Sequence, residues 1–200
     1  MNDVINQSNA DISLMEAYPV IGFGLFSRLN DGEIKNLKVT GNITSSLEYV
    51  GGIVGDCVGD SVIENCVNEV NITAVGSSSV GGITGGREYE SFTILDCKNY
   101  GNISIVQDDN IPEEIKIGGI IGCTDSGRIN NCINYGTIKS ISDGTNLYKG
   151  DIYGKLGANG EKCITNCENM GTLEVETVSG QNSFTTYIGG IIGILYYRPM

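Results

Sequence analysis

Histidine is missing from all 200 residues of the chain. Its absence removes Ser-His-Asp and Cys-His nucleophilic machinery, and every zinc site built on imidazole. Basic residues are scarce as well: 12 Lys and Arg stand against 24 Asp and Glu, a formal net charge of −12. They form no run able to neutralise phosphates, so neither nucleic acid nor an anionic membrane surface is an expected partner. Residues Met1 to Ala10 are polar and lack the basic and apolar regions of a signal peptide. The longest apolar run, Ile188 to Tyr197, is broken by glycines and too short to span a bilayer, so no membrane insertion is expected. Proline occurs only 3 times, whereas glycine reaches 29 residues, about twice its usual share. Glycine placed inside apolar stretches, with so little proline, indicates a tightly turning β chain rather than a disordered or collagen-like one.

What the chain does contain is a repeat. Ile63-Glu64-Asn65-Cys66-Val67-Asn68 returns as Ile94-Leu95-Asp96-Cys97-Lys98-Asn99, as Ile129-Asn130-Asn131-Cys132-Ile133-Asn134, and as Ile164-Thr165-Asn166-Cys167-Glu168-Asn169. A more divergent copy is Ile34-Lys35-Asn36-Leu37-Lys38-Val39. Each copy leads through a small turn to an aliphatic residue: Ile43, Ile72, Ile103, Ile138 and Leu173. A second signature lies between copies, at Gly51-Gly52-Ile53-Val54-Gly55, Gly81-Gly82-Ile83-Thr84-Gly85, Gly118-Gly119-Ile120-Ile121-Gly122 and Gly189-Gly190-Ile191-Ile192-Gly193. Gly150-Asp151-Ile152-Tyr153-Gly154 is a degraded version, and counting back from Ile34 assigns Gly22 to Phe26 to the same slot in the first rung.

Cys66, Cys97, Cys132 and Cys167 lie 31, 35 and 35 residues apart. Such a period suits a solenoid turn with loops of unequal length. Helical repeats of this period need Ala, Leu, Glu and Lys where these copies carry β-branched residues, Asn and Gly. Propeller blades are usually longer and carry aromatic markers. The expectation is therefore an all-β, right-handed parallel β-helix of about five rungs, with a period of roughly 29–39 residues. Its domain plan is a lead-in over 1–21, the solenoid over 22–197 and a tail over 198–200. Each copy should supply three short strands, in the second copy Val62 to Val67, Asn71 to Val75 and Val80 to Thr84.

In-register stacking assigns a job to each recurrent residue. The isoleucines become aliphatic ladders. Asn36, Asn65, Asp96, Asn131 and Asn166 stack at a bend, where their side chains can satisfy backbone groups of the turn. The paired glycines mark a corner that needs positive φ or has no room for a Cβ. Leu37 and the four recurrent cysteines form an internal column of reduced thiols, because side chains directly above one another point in parallel and are badly placed for disulfides. Cys57, Cys123 and Cys163 stand outside that column, and their redox state is left open.

The Gly-Gly-Ile-x-Gly cores, together with Phe23-Gly24-Leu25-Phe26 leading into Gly32-Glu33-Ile34-Lys35-Asn36-Leu37, resemble the GLUG-motif repeat family. These are bacterial cell-surface repeat proteins, also found in non-catalytic regions of IgA-specific metallopeptidases. Here Ile mostly replaces Leu in the core. The resemblance implies a cell-surface or extracellular location and a scaffold or adhesive role. It carries no catalytic residue.

The residues themselves offer no catalytic, cofactor-binding or metal site. Cys163 and Cys167 make a C-x-x-x-C without the second pair a zinc site needs. Asp56, Asp60, Asp96, Asp125, Asp143 and Asp151 are scattered, and no pair drawn from Arg28, Arg87, Arg128 and Arg198 is expected to share a rung position with an Asp cluster. The acidic knot Asp108-Asp109-Asn110 with Glu113-Glu114 fits no EF-hand spacing and is expected to be a solvated loop. The N-x-S/T matches at Asn42, Asn71 and Asn102 recur at one rung position, so the repeat explains them without glycosylation.

Length varies mainly between the second aliphatic residue and the next paired glycine. Loops 104–117, 139–149 and 174–188 therefore form the expected contact face for a host or matrix protein or a glycan, with Tyr49, Tyr148, Phe184 and Tyr187 available to sugar rings. The functional expectation is a non-catalytic repeat module of a larger surface or secreted protein, a spacer or adhesive scaffold. A glycan-active β-helix enzyme and a cytosolic interaction scaffold are the alternatives.

Overall fold

A computed structural model describes residues 21–106, 114–142, 146–150, 153–156, 163–177, 186–189 and 192–195. The described residues contain strands and turns but no helix, and so none long and apolar enough to cross a membrane. The strands build three parallel sheets wound into one β-solenoid of about five turns. The first sheet stacks Gly22–Phe23, Tyr49–Gly51, Ser79–Gly81, Glu114–Gly118, Asn146–Gly150 and Thr186–Gly189 in that order. The second stacks Phe26–Asn30, Val54–Val58, Thr84–Leu95, Ile121–Asn130, Tyr153–Leu156 and Ile192–Leu195, with Glu33–Lys35, Ser61–Glu64 and Cys163–Thr165 continuing their rungs. The third runs through Lys38–Ser45, Val67–Val75, Ile103–Val106, Ile138–Ser142 and Leu173–Thr177.

Register follows the repeat. Ile34, Ile63, Ile94, Ile129 and Ile164 pair in succession, as do Ile43, Ile72, Ile103, Ile138 and Leu173. Within these ladders Ile63, Ile94, Ile129 and Ile138 are wholly buried. Each such side chain contributes about 2 kcal/mol by leaving water. The degraded copy keeps its place: Gly150 pairs with Gly118 and Gly189, and Tyr153 with Ile121 and Ile192.

Three expectations need correction. The run Val62 to Val67 is not one strand, because Asn65 sits in the left-handed region (φ 51) and divides Ser61–Glu64 from Val67–Val75. The expected strand Val80 to Thr84 likewise breaks after Gly81, and Thr84 opens the next strand. In the first rung the glycine slot begins at Gly24, since Gly22 pairs with Tyr49 and Phe23 with Val50. A Cβ on Gly24 would lie 2.8 Å from the Gly51 carbonyl oxygen, so the close approach that demands glycine falls there. Counting back from Ile34 missed this because the first rung is a residue shorter in two turns, after Gly24, where Phe26 pairs with Val54, and after Asn30, where Asn30 pairs with Val58 but Glu33 with Val62.

Candidate functional site

Four columns carry the polar and reactive side chains. The first is the bend itself. Asn36, Asn65, Asp96, Asn131 and Asn166 all adopt positive φ, between 53 and 58 except for 51 at Asn65. Their side chains bond along the stack rather than to turn backbone as expected: Asn65 Nδ2 donates to Asn36 Oδ1 at 2.6 Å, and Asn131 Nδ2 to Asp96 Oδ1 at 2.5 Å. Asn and Asp tolerate the left-handed conformation that other non-glycine residues resist.

Two residues after each cysteine runs a second asparagine column, fully buried at Asn68, Asn99 and Asn134 and half-buried at Asn169. Asn68 Nδ2 donates to Asn99 Oδ1 at 2.7 Å, and Asn99 Nδ2 to Asn134 Oδ1 at 2.8 Å. The Asn99 amide also accepts from Gly101 N at 3.1 Å and donates to Gly101 O at 3.0 Å, which pairs the whole group inside the core. The paired glycines serve this column. A Cβ on Gly52 would strike the Asn68 amide, and one on Gly82 the Asn99 amide and the Gly119 carbonyl. Lack of space, not positive φ, is thus the reason for these glycines. The sequence showed this column as a recurrent Cys-x-Asn, a signal that needed the three-dimensional register to interpret.

The third column was missed. Arg28 pairs in register with Asp56, and its Nε and Nη2 both donate to Asp56 Oδ2 at 2.6 Å. Arg87, from the next rung, donates Nη1 to the same oxygen at 3.1 Å. Arg28 thus shares a rung position with one aspartate, and Arg87 reaches that aspartate from the adjoining rung, but no cluster of aspartates is involved. Asp56 is wholly buried, and its Oδ1 has no hydrogen-bond partner among the described residues. Of the other carboxylates, Asp60 lies in a turn, where its N–H donates to Asp31 Oδ1, and Asp96 lies in the bend. Asp143 and Asp151 fall outside the described residues, as do the side chains of Asp125 and Cys163.

The fourth column holds the thiols. Cys66, Cys97 and Cys132 are fully buried and Cys167 is half-buried; these four, like the buried Cys57 and Cys123 elsewhere, are thiols outside any disulfide. Each column thiol donates weakly to the carbonyl two residues before it, at 3.1–3.4 Å. The Cys97 sulfur and burial raise the Cys66 thiol, while the Cys167 and Cys97 sulfurs and burial raise Cys132. At Cys97 the flanking S–H groups of Cys132 and Cys66 lower it, and at Cys167 the S–H of Cys132 lowers the thiol to about 7. Among the described residues, no three of Cys, Asp and Glu converge where one metal ion would sit.

On the outside of the third sheet, Tyr100 and Tyr135 stack with ring centroids 4.5 Å apart and planes 1° from parallel. Met170 continues the strip and is 62 % exposed, and Tyr100 is 44 % exposed. One face of each ring is spent on the other, so the strip offers its outer face at Tyr100 together with ring edges and hydroxyls. Tyr49, expected on a contact face, is instead buried. Phe184 and residues 107–113, 143–145 and 178–185 of the variable loops lie outside the described residues, as do the side chains of Tyr148 and Tyr187. The described strands before these segments belong to the third sheet, and those after them to the first.

Together these features define a parallel β-solenoid repeat protein. Compared with protein-family models, with curated proteins and with solved structures, the chain matches none.

Proposed function

We propose that the chain is a non-catalytic repeat module, of the GLUG-motif kind, in a larger bacterial surface or secreted protein, where it acts as a spacer and adhesive scaffold. One observation carries this reading: the same aliphatic and amide ladders run in register from rung to rung. Repetition of that kind generates length and a regular outer face, which is what a spacer supplies. Adhesive contact falls to the variable loops 104–117, 139–149 and 174–188, and to the Tyr100, Tyr135 and Met170 strip on the sheet that leads into them. The chemistry suits a host or matrix protein or a glycan. Asp56 lends no support to glycan cleavage, because a carboxylate enclosed between two guanidinium groups cannot touch a sugar arriving from solvent. The test is an antibody against the purified chain, applied to intact and to permeabilised cells that express the protein. Labelling of intact cells is expected. Labelling that appears only after permeabilisation would overturn the surface assignment and favour the interaction scaffold of the cytosol.

A further inference from the structure

We propose that the column of Cys97, Cys132 and Cys167 is a linear thiolate site for a soft monovalent metal ion, Cu(I) or Ag(I), admitted at Cys167. The geometry comes from the stacking. Ile133 N–H donates to Cys97 O and Glu168 N–H to Cys132 O, each at 3.0 Å, so the three cysteines follow one another at one per rung. Rungs rise about 4.8 Å, and a two-coordinate sulfur–metal–sulfur unit with bonds of about 2.3 Å spans about 4.6 Å. An ion therefore fits between successive sulfurs with little movement of the backbone.

The same geometry selects the metal. A straight column gives each ion two sulfurs, and no three ligating groups converge among the described residues. Tetrahedral zinc is thereby disfavoured, whereas soft ions content with two thiolates are suited. The thiols give up little to bind: besides the contacts two residues back, their carbonyl partners stand at 3.6 Å for Cys97, 3.8 Å for Cys132 and 3.9 Å for Cys167. These are weak S–H bonds. Access is provided by Cys167, half-buried where the two below it are sealed.

Binding of the first ion joins Cys132 and Cys167. Each loses its S–H proton to water as its sulfur–metal bond forms, and the ion keeps its oxidation state. The resulting unit carries one net negative charge, which the S–H of Cys97 meets from below by donating to the Cys132 sulfur. A second ion between Cys97 and Cys132 displaces the Cys97 proton in turn.

The experiment is titration of the full, reduced chain with Ag(I), and separately with Cu(I) under anaerobic conditions. Ultraviolet sulfur-to-metal charge transfer and native mass report binding, and circular dichroism reports the fold. Tight uptake is expected in the parent and in Cys57→Ala, and Cys167→Ser should weaken the first equivalent about tenfold or more, a loss of about 1.4 kcal/mol. Cys167 is half-buried, so its serine variant keeps the fold while losing the soft ligand. Cys132→Val should abolish that equivalent. Three results would each overturn the site: no uptake by the parent, unchanged uptake in folded Cys167→Ser, or a loss in Cys57→Ala as large as in Cys167→Ser.

Discussion

At the scale of single residues, side chains in this stack are chosen by what the rung above and the rung below require. Asn131 shows both demands. Its backbone is left-handed at φ 55, and its Nδ2 donates to Asp96 Oδ1. Asn131→Ala should cost about 2 kcal/mol, roughly half from losing asparagine's tolerance of the left-handed region and half from the lost hydrogen bond. Asn131→Gly removes the same bond but relieves the backbone, so it should cost less than the alanine variant. Urea denaturation of both decides the point: equal losses would mean that the left-handed backbone contributes nothing. The bend asparagines were visible in the sequence as a recurrent residue, and the structure gives them a backbone reason. The Arg28, Asp56 and Arg87 column was not visible, because it depends on the register between rungs whose loops differ in length.

Strands and turns are where sequence reading went partly astray. Ile63 and Cys66 are both buried, although three positions apart, which a continuous strand cannot achieve because alternate residues face opposite sides. That spacing is itself the mark of a turn at Asn65, legible once inward positions are counted rather than apolar runs. The ladders were legible because identical residues recur in phase, and stacked registers follow directly from that. The asparagine column behind Cys66, Cys97 and Cys132 was not, since a buried amide looks like any polar residue until its partners are known. Its fit against the glycine corner makes a sharp prediction. Gly82→Ala would place a methyl group on the Asn99 amide and the Gly119 carbonyl, and should cost about 3 kcal/mol or more. Gly41→Ala, at a position with nothing within 4 Å of the added atom, carries only backbone strain from its φ of 134 and should cost less. A thermal melt of the two proteins that gave equal midpoints would contradict the packing argument.

For the whole molecule, stability is a sum of neighbouring rungs, so a change in one column is felt by the rungs on either side. The thiol column ties that stability to pH. Neighbouring sulfurs and burial hold Cys66 and Cys132 above the value of 9.0 that they take when free. A raised thiol contributes stability that is complete below the unfolded value and declines as pH rises past it, because the unfolded chain then ionises first. The melting midpoint should therefore fall as pH climbs beyond about 9. Tyrosines titrate in the same range, so the comparison is with Cys132→Val, a replacement made reasonable by Leu37 in the first rung's copy of that position. The variant should lose less of its midpoint over the same interval; an identical decline would remove the column from the explanation.

The solenoid consists of parallel strands stacked in one register. Nitrogen–carbonyl scalar couplings across hydrogen bonds, measured by NMR in the isotopically labelled chain, read that register directly. Couplings are predicted from Lys98 N to Cys66 C=O, from Ile133 N to Cys97 C=O and from Glu168 N to Cys132 C=O, bonds of 2.9, 3.0 and 3.0 Å. Couplings that instead joined these amides to carbonyls of their own rung, or to rungs displaced by a residue, would contradict the stack and the functional reading built on it.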